Sequence, residues 1–234
     1  MKLDVQQALQ DIKAGKMVLV FDSDERERET DMVIGSEAMT PQILREMRKN
    51  AGGLICTTCS DQVATQLDLP FLADILADAG AKHPVLNGLA PNDLPYDTKS
   101  AFSISINHRR TFTGVTDIDR AHTIAEFGHI CARCLHMTPA QARIELGRDF
   151  RAPGHIHLLR ASKDLLAKRF GHTELSTALM VMAKVTPSAT LCEMMGDDGN
   201  ALTKDKAKAY AVANDLCFLE GKEVIEAWRD WRKE

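Results

Sequence analysis

The 234-residue chain lacks several features, and each absence removes a class of function. No stretch approaches the ~18 consecutive apolar residues that a membrane span needs, so no membrane partner is expected. The N-terminus, Met1-Lys2-Leu3-Asp4, is polar and carries no apolar core of a secretion signal. Positive charge is not in excess, because 29 Lys and Arg stand against 33 Asp and Glu, a formal net charge of -4. Nucleic-acid binding calls for a basic field, so composition gives it no support. There is no internal repeat and no low-complexity linker. Six cysteines without a secretion signal read as thiols rather than disulfides. Hydrophobic residues make up 44%, enough for a sizeable core. The expectation is a cytoplasmic globular chain with residues 1–234 in a single domain.

What is present is acid, concentrated in one place. Asp22-Ser23-Asp24-Glu25-Arg26-Glu27-Arg28-Glu29-Thr30-Asp31 holds six carboxylates and two guanidiniums in ten residues. Apolar runs bound it on both sides, Met17 to Phe21 before and Met32-Val33-Ile34 after. A short apolar run bounded by turn residues reads as a buried strand, and the block as the loop leaving its end. Most charge runs are solvated loops. Here the flanks pin both ends to the core, and six crowded acids repel one another unless a cation sits among them. A hard divalent cation suits such oxygen ligands. An EF-hand does not fit, because its glycine position holds Glu27 and its final glutamate position holds Val33.

Elsewhere helices and strands alternate. Val5, Ala8, Leu9 and Ile12 have helical spacing, with Gly15 closing the helix. Thr40-Pro41 opens a helix to about Asn50, and Leu54-Ile55-Cys56 reads as a strand after Gly52-Gly53. Ser60-Asp61 starts another helix. His83 to Asp97, rich in proline and asparagine, reads as an extended loop or lid. Ala101 to Ile106 alternates as a strand, Ile118 to His136 is helical, and Thr138-Pro139 caps the next helix. Gly154 to Leu159 is strand-like, Thr173 to Val185 helical, and Thr190 to Met194 a strand. Helices near Lys204 to Asn214 and Glu223 to Arg232 flank Cys217-Phe218-Leu219. This pattern makes an α+β fold, a layered domain with a mixed sheet flanked by helices.

Three further places could carry chemistry. Arg169-Phe170-Gly171-His172-Thr173-Glu174 puts an arginine, a hydroxyl and free N–H groups at a helix mouth, the parts of a phosphate site. An ordinary helix cap would look the same. His155 and His157 share one strand face, a weak metal signal that a polar face explains equally well. Glu193 sits in a short apolar strand, where a carboxylate is costly unless paired or shifted, or else faces solvent. Cys56-Thr57-Thr58-Cys59 and Cys131-Ala132-Arg133-Cys134 lie too far apart for a zinc ribbon, and the second pair falls within a helix.

Taken in order, Asp24 to Met32, Ala51-Gly52-Gly53-Leu54-Ile55-Cys56, Phe112-Thr113-Gly114-Val115-Thr116 with Asp119-Arg120, Pro153-Gly154-His155, Gly171-His172-Thr173-Glu174 and Cys192-Glu193-Met194-Met195 resemble the 3,4-dihydroxy-2-butanone 4-phosphate synthases of riboflavin biosynthesis. The resemblance spans nearly the whole chain, and Thr30 and Pro91-Asn92-Asp93 resemble the archaeal branch. It implies a stand-alone homodimeric lyase that converts D-ribulose 5-phosphate to L-3,4-dihydroxybutan-2-one 4-phosphate plus formate. It also implies Mg2+ or Mn2+, two ions per site, with Glu27 and His172 as metal ligands. Arg26, Glu27, Asp31, Thr113, Arg169, Phe170, Gly171, His172, Thr173 and Glu193 stand at substrate-contact positions. Asp31, Glu193, His155, Glu29 and Cys56 stand at positions tied to catalysis. Phe170 departs from the small or polar residue usual there.

Such residues suit the reaction. A divalent ion can polarise the ketone and stabilise an enediolate, carboxylates can shuttle protons, and a phosphate anchor can hold the carbon chain. The rival reading is a haloacid-dehalogenase-like phosphatase, since Leu19 to Asp24 resembles its strand followed by DxD. Arg26 replaces the expected threonine or valine, and that reading leaves the Gly171-His172-Thr173 turn without a role. An acidic interaction module without catalysis is a distant third.

Overall fold

In a computed structural model, residues 2–90, 93, 97 and 99–233 are described. The apolar spacing near the start closes as helix α1 (Leu3–Lys13), which buries Val5, Ala8, Leu9 and Ile12. Gly15 then turns the chain at a φ of 74°. Strands β1 (Val18–Phe21) and β2 (Thr30–Gly35) form an antiparallel hairpin whose loop is the acidic block. Thr30 and Asp31 therefore belong to a strand rather than to the loop. The ladder claims them because Asp31 lies between Val20 on β1 and Glu193 on the strand beyond.

Thr40 accepts the Ile43 N–H and starts α2 (Pro41–Glu46), which widens into a π turn before left-handed Gly52. Strand β3 (Cys56–Cys59) begins two residues later than the apolar run suggests. The reason is local: the N–H groups of Gly53 and Leu54 are drawn to the backbone and side chain of Glu193. Ser60 caps α3 (Asp61–Leu67). Two short helices, α4 (Leu72–Ala79) and α5 (Val85–Gly88), have no counterpart in the sequence-based expectations. The stretch from His83 thus opens with a helical turn, while Pro91 and Asn92 lie outside the described residues.

Next come β4 (Phe102–His108), α6 (Asp117–Cys134) and α7 (Pro139–Asp149). Strand β5 (Phe150–Arg160) starts four residues before Gly154, because Asn107 and His108 of β4 pair with Arg151 and Phe150. Helix α8 (His172–Met182), β6 (Ala189–Glu193), α9 (Lys204–Ala213), β7 (Phe218–Glu220) and α10 (Gly221–Trp231) complete the chain.

Among the described residues, seven strands form one mixed sheet in the order β4-β5-β3-β6-β2-β1-β7. The pairs β1/β7 and β3/β5 are parallel and the others antiparallel. Both faces are covered, so the central strands read as continuous apolar runs instead of alternating. Leu19, Met32, Ile34 and Cys192 point into a core shared with α2, α3, α6 and α9. Val18, Val20, Val33 and Leu191 point into the core beneath α1, α8 and α10. By the same alternation Asp31 and Glu193 face the α8 side. Cys131 and Cys134 are buried on α6 within the first core.

The interior also contains a hydroxyl seam. Thr177 on α8 bonds Thr58 at 3.0 Å, and Thr58 accepts the Ala189 N–H. Ser188 touches Ser36 at 2.9 Å, and Ser36 and Thr57 both reach Thr190. All six side chains are buried, and each satisfies another.

Candidate active site

The acidic loop is wired from its first residue. Asp22 is buried, and its two carboxylate oxygens accept the N–H groups of Glu27 at 2.9 Å and Glu29 at 3.1 Å. This closure, with Arg28 at a positive φ of 62°, aims Arg26 and Glu27 at the sheet end. Glu27 Oε2 lies 2.8 Å from Arg26 Nη1 and 3.2 Å from His172 Nδ1. Gly171 caps α8, which places His172 at the first helical position over Asp31. Asp31 Oδ1 is 3.7 Å from His172 Nε2.

Asp31 and Glu193 are direct cross-strand partners in the β2/β6 ladder. Glu193 Oε2 accepts the Leu54 N–H at 2.7 Å, which fixes its carboxylate. Both Asp31 oxygens and His172 Nε2 are buried and find no hydrogen-bond partner among the described residues. A buried carboxylate left this way is costly, so the arrangement is one that a ligand would complete.

The electrostatics follow from this crowding. Burial pushes the Asp31 carboxyl well above its ordinary range; His172 opposes the rise, while Glu193, Glu27 and Glu29 add to it. Burial alone would discharge His172, but Asp31 and the Glu27 hydrogen bond outweigh it and raise the imidazole to about 9. For Glu27 burial is likewise overcome, by His172 and Arg26, and its carboxyl is lowered. Burial, then Glu27 and Glu193, raise Glu29. Burial, then Glu193 and Asp31, hold the Cys56 thiol protonated, so it is a neutral wall rather than a thiolate.

On the other side of His172, Arg169 pairs with Glu174 and with Asp97. Arg26 Nη2 reaches the same Asp97 oxygen at 3.1 Å. A Cβ at Gly171 would lie 2.6 Å from Arg26 Nη2, so a larger residue there would push the Arg26 guanidinium off the helix mouth. The result is a cavity of about 380 Å3. Arg26, Glu27, Asp31, Cys56, Arg169, His172, Thr173 and Glu193 line its polar end, and Leu72, Leu76 and Leu89 its apolar wall.

The structure thus brings eight of the sequence-predicted residues to one cavity. Gly171 and Glu29 stand just behind them, and Phe170 is 42% exposed beside Arg169. His155 and Thr113 do not line the cavity. His155 sits on β5 with its Nδ1 against Asn107, and Thr113 lies in the loop before α6. Asp22 and Asp97 are the residues that sequence reasoning missed. Asp22 opens the acidic block, which was the available signal, whereas nothing local singles out Asp97.

Among the described residues, Asp22, Glu27 and His172 each offer one ligand atom, all within 4.8 Å of one another. Carboxylate oxygens with a single imidazole suit a hard divalent ion such as Mg2+ or Mn2+. The orphaned atoms of Asp31 and His172 fit the same conclusion.

The model of the 3,4-dihydroxy-2-butanone 4-phosphate synthases matches residues 6–227. The chain belongs to this family. A 3,4-dihydroxy-2-butanone 4-phosphate synthase of Methanothermobacter thermautotrophicus is 48% identical over 229 residues, 97% of either chain. Among solved structures, the synthase of Candida albicans superimposes with a TM-score of 0.70 at 27% identity, covering 95% of this chain and 96% of that one. A synthase solved in complex with two magnesium ions has the same fold, with a TM-score of 0.71 at 24% identity and 95% of each chain covered. The match makes the chain a synthase of riboflavin biosynthesis and removes the phosphatase reading. Asp22 agrees, since it serves as the clasp of the hairpin loop.

Proposed function

We propose that this synthase converts D-ribulose 5-phosphate to L-3,4-dihydroxybutan-2-one 4-phosphate and formate, a lyase reaction dependent on Mg2+ or Mn2+. The observation that carries the reading is the single cavity in which an acid pair, Asp31 and Glu193, lies between a cation-ligand cluster and an anion seat. Glu27 and His172, with Asp22 behind them, would hold two ions per site. Bound there, a divalent ion polarises the substrate ketone and stabilises negative charge on neighbouring oxygens.

The chain's own groups do the rest. Arg169, Arg26, Gly171 and Thr173 anchor the phosphate at the mouth of α8, which fixes the carbon chain for rearrangement. Asp31, whose carboxyl burial raises well above its ordinary range, and Glu193, fixed by the Leu54 N–H, exchange protons with the carbon and hydroxyl positions above them. Glu29 adds negative charge behind the pair, and Cys56 closes the floor without ionising.

The working unit is a homodimer. Support comes from Phe112, 92% exposed, with exposed Val115 and Ile118 beside Thr113. Gly114 packs on Asn107, which also holds His155, so these residues form one surface that a second copy would bring to the cavity. Residues 1–234 act as one synthase domain in the cytoplasm, and no helix among the described residues is long and apolar enough to cross a membrane.

The test is 13C NMR of the purified chain with labelled ribulose 5-phosphate and Mg2+, with and without chelator. Metal-dependent formate and a four-carbon phosphate are expected. Free phosphate with an intact five-carbon skeleton, or no turnover with either metal, would overturn the reading.

A further inference from the structure

The anion seat is already filled, by a residue of the chain itself. Arg26, Arg169 and the N-terminus of eleven-residue α8 converge at Gly171. The Asp97 carboxylate lies between the two guanidiniums and its side chain is only 10% exposed. Charge is not in short supply there. Arg26 faces Asp22, Glu27 and Asp97, and Arg169 faces Asp97 and Glu174. Among the described residues, two guanidiniums thus meet four carboxylates, a surround that opposes a further dianion. Asp22 holds the loop N–H groups, Glu27 meets His172, and Glu174 lies on α8 and accepts the Ser162 N–H. Asp97, on the connection between α5 and β4, is the carboxylate among the described residues that both guanidiniums share.

We propose that Asp97 is a specificity-determining residue, an internal anion that holds the seat until a phosphate displaces it. An uncharged sugar offers nothing to exchange for a carboxylate held by two guanidiniums. A monoanion exchanges like for like. A phosphate has more charge and three acceptor oxygens that can span both guanidiniums and the helix mouth, so it wins the exchange. The seat then selects phosphorylated ligands by competition as well as by attraction. The inference rests on the reading of this seat as the phosphate site, and the experiment separates the two.

Inorganic phosphate and acetate are titrated calorimetrically into the full chain in Mg2+ buffer, as wild type, Asp97→Asn and Arg169→Gln. Asp97→Asn should bind phosphate about tenfold tighter than wild type and gain measurable acetate binding, since one opposing charge is removed while shape is kept. Phosphate binding that is unchanged, weaker or absent in folded Asp97→Asn would overturn the proposal and leave Asp97 as an anchor for the arginines. If that variant does not fold by circular dichroism, Asp97→Ser provides the same comparison. Arg169→Gln should lose phosphate binding. Retention there would sink the phosphate-seat reading itself, whatever Asp97 does.

Discussion

Asp31 and Glu193 stand directly opposite each other on antiparallel β2 and β6, two carboxylates on the same sheet face where the surrounding positions are apolar. Like charges so placed destabilise a sheet, and here burial adds to the cost. Replacing Asp31 with Asn should therefore lower kcat by about 10²–10⁴-fold. The stability of the metal-free protein should change little, because relief of the Asp31–Glu193 repulsion is offset by loss of the buried Asp31–His172 ion pair. Turnover and urea denaturation check both halves. A variant that loses stability as well as activity would contradict this account of Asp31.

The metal-ligand assignment predicts a thermal signature. Mg2+ at a hundredfold excess over its Kd should stabilise the wild-type chain by about 2.7 kcal/mol. Glu27→Gln and His172→Ala should each abolish most of that shift. Retention of the full shift in Glu27→Gln would remove Glu27 from the ligand set.

Glu193 depends on a neighbour without a side chain. A Cβ at Gly53 would fall 2.7 Å from the Glu193 backbone oxygen and 2.8 Å from its Cβ. Gly53→Ala should cost about 1–3 kcal/mol of stability through overpacking and lower activity by displacing the Glu193 carboxylate. Chemical denaturation and kinetics of the single variant decide it. Unchanged values in both would mean that the end of β6 yields freely.

Beside the acidic loop, where Lys204 reaches both Asp24 and Glu220, Glu220 makes a pH prediction. Hydrogen bonds from Lys222 and Lys208, with Lys204 nearby, lower its carboxyl from 4.5 to about 2. A lowered value means that the charge stabilises the fold fully above pH 4.5 and that this contribution fades as pH falls toward 2. The gap in urea midpoint between wild type and Glu220→Gln should follow that course and shrink in high salt, because the pairs are partly exposed. A gap that ignores pH would refute it.

Thiol chemistry should be quiet. Burial pushes Cys59 up to about 12, and burial together with the Glu193 charge does the same to Cys192. Cys217, half-buried, is held at about 12 by burial and by donation to Asp11 at 3.1 Å. Iodoacetamide at pH 8 should leave the native chain largely unmodified, with Cys217 reacting first, and should label all six cysteines after denaturation. Rapid native labelling of Cys56 would show that it is not the neutral wall described above.

Local chemistry was the legible part of this chain. Thr40-Pro41, Ser60 and Thr138-Pro139 mark their helices because a cap is made by residues within one turn. The acidic block, Glu193 and the turn at Gly171 could be singled out because charge in apolar surroundings needs a reason. Less legible were features set by distant partners. The start of β3 is displaced by Glu193, 139 residues away. The first half of β5 looks like loop, since Arg151-Ala152-Pro153 is exposed and is ordered by pairing with β4. Helix α5 is a single turn, too short for a periodic stripe, whereas Leu72, Ile75, Leu76 and Ala79 of α4 do have helical spacing although the fold buries none of them. Asp97 gains meaning, among the described residues, from two arginines that lie 71 and 72 residues away.

The hydroxyl seam of Ser36, Thr57, Thr58, Thr177, Ser188 and Thr190 bears on how such a sequence can drift. Each hydroxyl is another's partner, so a lone Thr190→Val strands Thr57 in the interior and leaves Ser36 with Ser188 alone. Removing the partners together leaves nothing stranded. These positions should therefore change as a set across related chains, polar together or apolar together, and the intermediates should be the rare ones.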